Sequence, residues 1–256
     1  MKQSPKIFVI TPTYQTNPNW LRQCIDSVQA QSVPNVQQII INDGDNQFER
    51  PAGFNGILLN CAVNANDYGD TPRAIGTEKA VSLGATAVAY LDADNWFEPH
   101  HLESVLKLHG KTGACIIATK RTFRTLEGDF LANCPDCGTS SFADTSAMVF
   151  FPEAYSLLKH WGAMADWMHP IADRVLWNKV VESGLKYAFT NQRTINYRCR
   201  DQIFYTRYGR EIPTDAISSD EVEKALEKWR RHRSTDLAFE NNYSGRGYTE
   251  RFTPSC

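Results

Sequence analysis

The sequence predicts an α/β protein built on an open, largely parallel sheet with helices on both faces. Three observations predict it. The first 110 or so residues alternate short β-branched runs with segments of helical period, in the order strand, helix, strand, strand, helix, strand, helix. Three of those strands end in polar clusters: Thr11-Pro12-Thr13-Tyr14, Asn42-Asp43-Gly44-Asp45 and Asp92-Ala93-Asp94-Asn95. An α/β topology gathers such clusters at the carboxyl edge of the sheet, where ligands bind. Finally, 256 residues with 42% hydrophobic and 22% charged side chains are enough to bury one substantial core.

The elements follow in order. Lys6 to Thr11 is a compact apolar run, read as a buried strand. Asn17-Pro18 supplies an N-cap and a first-turn proline, and Trp20, Leu21, Cys24, Ile25 and Val28 then fall on one helical face. Gln38 to Ile41 is the second strand and Gly56 to Leu59 the third. Pro72 opens a helix carrying Ile75, Ala80, Val81 and Leu83, stopped by Gly84. Ala87 to Leu91 is the fourth strand, and Glu98-Pro99 starts a helix through Leu102, Val105, Leu106 and Leu108, capped by Gly110.

The second half is less regular. Residues 120–143 are rich in Thr, Gly, Asp, Asn and Ser and predict a loop or hairpin. Helices are expected over Pro152 to Trp161 and about Ile171 to Ser183, then a strand over Lys186 to Thr190 and a loop-dominated stretch over 191–218. Ser219 caps a last helix, acidic at its start and basic at its end (Lys228, Arg230, Arg231, Arg233), which matches the helix dipole. A poorly ordered tail is expected over about 240–256. The division expected is 1–218 as one domain, with halves 1–110 and 111–218, followed by the terminal helix and tail, 219–256.

Several classes are excluded by composition. Lys and Arg number 27 against 29 Asp and Glu, a net charge of -2, which does not suit a protein that coats nucleic acid or an anionic membrane. At most peripheral membrane contact is expected, because no run approaches the ~18 apolar residues of a transmembrane helix. Ile7 to Ile10 is too short for a secretory h-region. Seven cysteines, an odd number without a regular framework, suit reduced thiols, so a cytoplasmic location is expected.

Leu91-Asp92-Ala93-Asp94-Asn95 is the sharpest chemical signal. Two carboxylates one residue apart at a strand end can face one pocket. Mg²⁺ or Mn²⁺ accepts one or two carboxylates while nucleotide phosphates complete its shell, and the bound cation stabilises a diphosphate as a leaving group.

Taken together, Thr11-Pro12-Thr13-Tyr14, Ile41-Asn42-Asp43-Gly44-Asp45, Gly69-Asp70-Thr71-Pro72-Arg73-Ala74 and Leu91-Asp92-Ala93-Asp94 resemble successive motifs of GT-A-fold glycosyltransferases of the family-2, inverting type. The resemblance covers roughly residues 5–110 well and extends more weakly to about 190. It implies a GT-A nucleotide-diphospho-sugar transferase fold, a mixed central sheet flanked by helices. It also implies a metal-dependent enzyme that moves a sugar from a nucleoside-diphosphate donor, UDP-sugar favoured, to a hydroxyl on a glycan, lipid-linked or other acceptor. The divalent ion would be Mn²⁺ or Mg²⁺.

By the same resemblance, Thr11, Pro12, Thr13, Tyr14 and either Asn42 or Asp43 hold the base and ribose. Arg73 faces the donor, Asp92 with Ala93 lies along the ribose or sugar, and Asp94 ligates the metal. Asn95 stands where a third acid is usual. The acceptor base falls in Ala172-Asp173-Arg174-Val175-Leu176-Trp177, on Asp173, with Asp166 and Asp144 as substitutes. Arg198 or Arg200 could close over the diphosphate.

Other features have blander readings. Cys134-x-x-Cys137 lacks a second ligand pair for zinc. His100 and His101 are expected at the surface, and Trp161 to Met168 serves either an acceptor site or the core. A nucleotidyltransferase would carry a Gly-rich basic loop after its first strand, which Thr11 to Thr16 is not. A non-catalytic nucleotide-sugar-binding or scaffold protein is the remaining alternative.

Overall fold

A computed structural model describes residues 5–232. The tail expected over 240–256, and Arg233 of the basic helix end, lie outside them. The first strand, β1 (Ile7–Thr13), is central, and its Ile7, Phe8, Val9 and Ile10 are wholly buried. A strand covered on both faces must be continuously apolar, which is why this run does not alternate. Pro12 falls where β1 has outrun one neighbour, so its missing N–H costs little there.

Helix α1 (Pro18–Gln29) starts where Asn17 accepts a hydrogen bond from the Asn19 amide at 2.9 Å, and buries Leu21, Cys24, Ile25 and Val28. Strands β2 (Val36–Asn42) and β3 (Ile57–Asn60) continue the parallel sheet outward, and β4 (Ala87–Tyr90) lies on the other side of β1. Helix α2 (Asp70–Ser82) crosses from β3 to β4. It lies close to the sheet because Gly76 has no Cβ: one built there would come within 2.6 Å of Ile10 and 2.7 Å of Ile41.

The remaining strands make the sheet mixed rather than largely parallel. Its order is β3-β2-β1-β4-β8-β6-β9-β5, with β7 paired to β6. These strands are β5 (Trp96–Phe97), β6 (Ile116–Arg124), β7 (Phe130–Asn133), β8 (Met148–Phe150) and β9 (Tyr187–Arg198). β8 runs antiparallel to β4 and β6, whereas β9 is parallel to β6 and antiparallel to β5.

Several sequence expectations are corrected here. The helix predicted from Pro72 begins at Asp70, because Gly69, at φ 85°, turns the chain into it. Helix α3 (His101–Thr112) passes Gly110 and ends at Gly113, whose φ of 65° supplies the left-handed stop. Residues 120–143 hold the predicted hairpin, but its first strand starts at Ile116. The strand expected over 186–190 extends to Arg198, and the stretch beyond it forms α5 (Gln202–Arg207). Pro152–Ala163 and Asp166–Ile171 are 3₁₀ segments, and only α4 (Ala172–Glu182) is α-helical there.

His101 is not at the surface. It is fully buried, stacked on Phe97 at 4.0 Å, with Nδ1 2.8 Å from Thr194 Oγ1. Trp161 and Met168 are core side chains. The last helix, α6 (Asp220–His232), packs Ala225 and Trp229 inward and lies against the 3₁₀ segment Asp166–Ile171. Among the described residues no helix is long and apolar enough to cross a membrane.

Candidate active site

The carboxyl ends of β1, β2 and β4 open onto a cavity of about 380 Å³. Pro12, Thr13, Tyr14, Asp43, Arg73, Asp92, Ala93 and Asp94 all line it. Thr11 and Asn42 do not. Thr11 Oγ1 faces the other way and accepts from Gln38 Nε2 at 2.8 Å. Asn42 holds the turn after β2: its amide donates to the Asp45 carbonyl at 2.9 Å and its Oδ1 accepts from the Asp45 amide at 3.1 Å.

That turn presents Asp43, whose Oδ1 accepts from the Ala65 amide at 3.1 Å and Oδ2 from Asn64 Nδ2 at 3.0 Å. Gly44 is required beside it. Its φ is 79°, and a Cβ would sit 2.2 Å from the Asn64 amide nitrogen. Burial pushes the Asp43 carboxyl up from its ordinary 3.8 to about 6. Because the folded value lies above the unfolded one, this carboxyl favours folding below pH 4, and that contribution is lost as pH rises through 6. Asp43→Asn is therefore expected to remove this pH dependence, so that the wild type loses melting temperature relative to the variant as pH rises from about 4 to about 7.5. A thermal melt series checks this, and a wild-type-minus-variant difference that stays constant over that range contradicts it.

Arg73 does not reach freely into the cavity. Nη1 donates to the Tyr68 carbonyl at 2.9 Å and to Asp70 Oδ1 at 3.0 Å, Nη2 donates to Asp92 Oδ1 at 2.6 Å, and the guanidinium lies 5.2 Å from the Trp161 ring. Asp70 in turn receives His169 on Oδ2 at 2.8 Å. Burial lowers the His169 pKa, but the Asp70 carboxylate outweighs it and the net shift is upward. A continuous chain His169–Asp70–Arg73–Asp92 thus runs from the segment before α4 to the cavity floor.

Asp94 lines the cavity beside the late arginines. Its carbonyl accepts from Arg198 Nε at 3.1 Å, and its Oδ2 lies 3.7 Å from Arg200 Nη1. Burial and the neighbouring Asp92 charge raise Asp94 to about 6, against the pull of Arg200 and Arg198. Asn95 turns inward: it donates to Ser146 Oγ at 3.3 Å and accepts from the Arg198 amide at 2.9 Å. An inward amide is what this position requires, and it contributes nothing to the cavity.

The two candidate arginines separate cleanly. Arg198 is a buried clamp between the Trp20 and Trp96 rings, at 4.9 and 5.0 Å, with hydrogen bonds to Gln23, Leu126 and Asp94. Arg200 lines the cavity with its side chain 48% exposed, held by the loose Asp94 contact and the Trp20 ring at 5.9 Å.

Asp173 does not line the cavity. It sits in the first turn of α4, where its Oδ1 accepts from the Arg174 amide at 2.7 Å. Burial raises its pKa, with Arg174 and Arg121 opposing and Asp92 adding to the rise. Asp144, the substitute, is spoken for: it pairs with the buried Arg121 and accepts from the Ser146 amide at 3.0 Å. Asp166 belongs to the 3₁₀ segment before α4.

Sequence reasoning missed Asn64, Asn66, Asp67, Tyr68 and Tyr197 as lining residues. A signal existed for the first four, since they follow β3 and the rule applied to the other strand ends covers them equally.

No protein-family model matches the chain. Chondroitin synthase of Pasteurella multocida is 30% identical over 133 residues, 50% of this chain and 14% of that protein. Hyaluronan synthase of the same species matches at 30%, over 50% of this chain and 13% of the other. Glycosyltransferase GlyA of Streptococcus pneumoniae is 28% identical over 104 residues, 40% of this chain and 15% of GlyA. The chain thus spans about a seventh of the length of these relatives. Among solved structures, Staphylococcus aureus TarS in complex with UDP superposes with a TM-score of 0.58 at 13% identity, covering 91% of this chain and 73% of that one. The fold is GT-A. A second TarS structure, in complex with UDP-GlcNAc, superposes equally well, with a TM-score of 0.58 at 14% identity, covering 90% of this chain and 73% of that one. The GT-A fold places β1, β2 and β4 as the floor of the cavity described above, and the sequence likeness is to glycosyltransferases.

Proposed function

We propose that the chain is a glycosyltransferase that moves a sugar, with inversion, from a UDP-sugar to an acceptor hydroxyl, using a divalent cation at Asp94. One observation carries this: Tyr14, Asp43, Arg73, Asp92, Asp94 and Arg200 converge on one cavity at the strand ends of a GT-A fold.

The donor set suits a cation of the Mg²⁺ or Mn²⁺ type. Among the described residues no three His, Cys, Asp or Glu side chains gather to cage a metal. Asp92 and Asp94 instead offer the one or two carboxylates that such ions take alongside phosphates. Asp94 would hold such an ion, which would supply positive charge to a diphosphate leaving group.

The chain's own residues do the rest. Asp43 accepts from the base edge, and Arg73 holds Asp92 in place for the ribose or sugar. Arg200 is the cation free to pair with the diphosphate, because Arg73 and Arg198 are committed elsewhere. Asp173 removes the acceptor's proton, and its raised proton affinity suits a general base.

Thermal melts with UDP, GDP, CDP and dTDP, each with and without Mn²⁺, test the reading. A nucleotide at ~100 times its Kd adds about 2.7 kcal/mol. UDP with Mn²⁺ is expected to give the largest upward shift. No shift with any nucleotide would overturn the proposal.

A further inference from the structure

Beyond the cavity, α4, α6 and the loop before β8 enclose a second recess of about 230 Å³, lined chiefly by Ser140, Ser141, Arg174, Trp177, Trp229 and Arg230. Trp177 Nε1 donates to the Ser140 carbonyl at 3.1 Å and so fixes the serine turn against α4. Trp177 and Trp229 are both nearly buried and form firm walls.

The charge of this recess is one-sided. It presents two guanidinium groups, and no carboxylate is among its lining residues. On the same helices Lys179 pairs with Glu182 and Arg231 with Glu227, away from the recess. Arg174 and Arg230 form no salt bridge within the described residues. Arg174 is laid on the Phe142 ring at 4.2 Å, which orients its guanidinium, and its charge also reaches the neighbouring Asp173 carboxylate. An anion seated in the recess would gain from both guanidinium groups.

The position matters as much as the charge. Arg174 directly follows Asp173 in the first turn of α4, so the recess lies on the helix that carries the proposed base. Tryptophan walls and serine hydroxyls also suit a sugar ring, which has an apolar face and a polar rim.

We propose that this recess is an acceptor subsite for an anionic sugar unit, one bearing a carboxylate or a phosphate, gripped by Arg174 and Arg230 through charge-assisted hydrogen bonds. The proposal rests on the transferase reading and names its acceptor class. Calorimetric titration of the full chain with three oligosaccharides of equal length tests it: one containing uronic acid, one containing phosphodiester-linked units, and one neutral glucan. The expected result is at least tenfold tighter binding of one anionic probe than of the neutral one, and at least a tenfold loss of that binding in the Arg174→Gln/Arg230→Gln variant. Which anionic probe wins identifies the group. The variant should keep the same melting shift with UDP and Mn²⁺, which also shows that it is folded. Equal affinity for the neutral glucan, no binding of either anionic probe, or an undiminished variant would each overturn the subsite. Loss of the wild-type UDP shift would instead strike the transferase reading, and the oligosaccharide arms would still score the recess on its own.

Discussion

Asp173→Asn is expected to bind UDP and Mn²⁺ as the wild type does, while transferring sugar roughly 10²–10⁴-fold more slowly, the usual cost of losing a general base. The substitution is small in every other respect. Asparagine keeps an Oδ1 able to accept from the Arg174 amide, so the first turn of α4 is preserved. Asp173 also lies off the cavity lining, so nucleotide contacts are untouched. A pH profile sharpens the test. Burial raises the Asp173 pKa, so wild-type rate should fall on the acid side as the carboxylate takes up a proton, and the asparagine variant should lose that limb. Asp144→Asn should behave differently. It breaks the buried pair with Arg121, and leaving one partner unpaired costs about 3–5 kcal/mol, so the defect there is a lower melting temperature. Wild-type turnover by Asp173→Asn would remove that residue from the base role.

Asp94→Ala is expected to erase the Mn²⁺-dependent part of the UDP shift. The carboxylate lines the cavity, and its Arg200 contact at 3.7 Å is loose enough to yield to an incoming ion. Asp92 alone is a poor replacement, because its Oδ1 is already held by Arg73 at 2.6 Å. With the shift gone, transfer should fall by at least 10²-fold at any Mn²⁺ concentration, as the diphosphate leaves without its neutralising charge. Melting curves with UDP across a Mn²⁺ titration, together with turnover, check this. A variant with an intact Mn²⁺-dependent shift would place the ion elsewhere.

The strand-end half of the site was readable because its physics is local. Ile7 to Ile10, Ile39 to Ile41 and Ala87 to Leu91 are apolar runs that need both faces covered, and each ends in polar residues that the sheet must gather at one edge. The second half of the chain follows no such rule. β6 includes the buried Arg121, which interrupts its apolar run and is tolerated only because Asp144 and the Tyr197 ring receive it. β8 is three residues long and β5 two, below any periodicity signal. β9 continues past Asn191, a non-glycine residue at φ 59°, so its second half reads as loop although it is sheet. Arg198 and Arg200 stand two residues apart and look alike in sequence. The indoles of Trp20 and Trp96 bury one of them, and only folding reveals which.

The place of β9 has a consequence for how the chain is made. β1, β2 and β3, with one side of β4, find their neighbours within the first 90 residues, so the floor of the cavity can close while synthesis continues. Among the described residues β5 pairs with β9 alone, about 100 residues further on, and β6 meets the same strand some 70 residues after its own start. At ~5–20 residues per second the ribosome takes roughly 4–14 s to bridge the β6 gap. For those seconds the nascent chain carries an unpaired edge at β6, open to a chaperone or to another copy of itself. Arg200, which follows β9, arrives last of all the lining residues, so a growing chain acquires the floor of the cavity well before it acquires this cation at the rim.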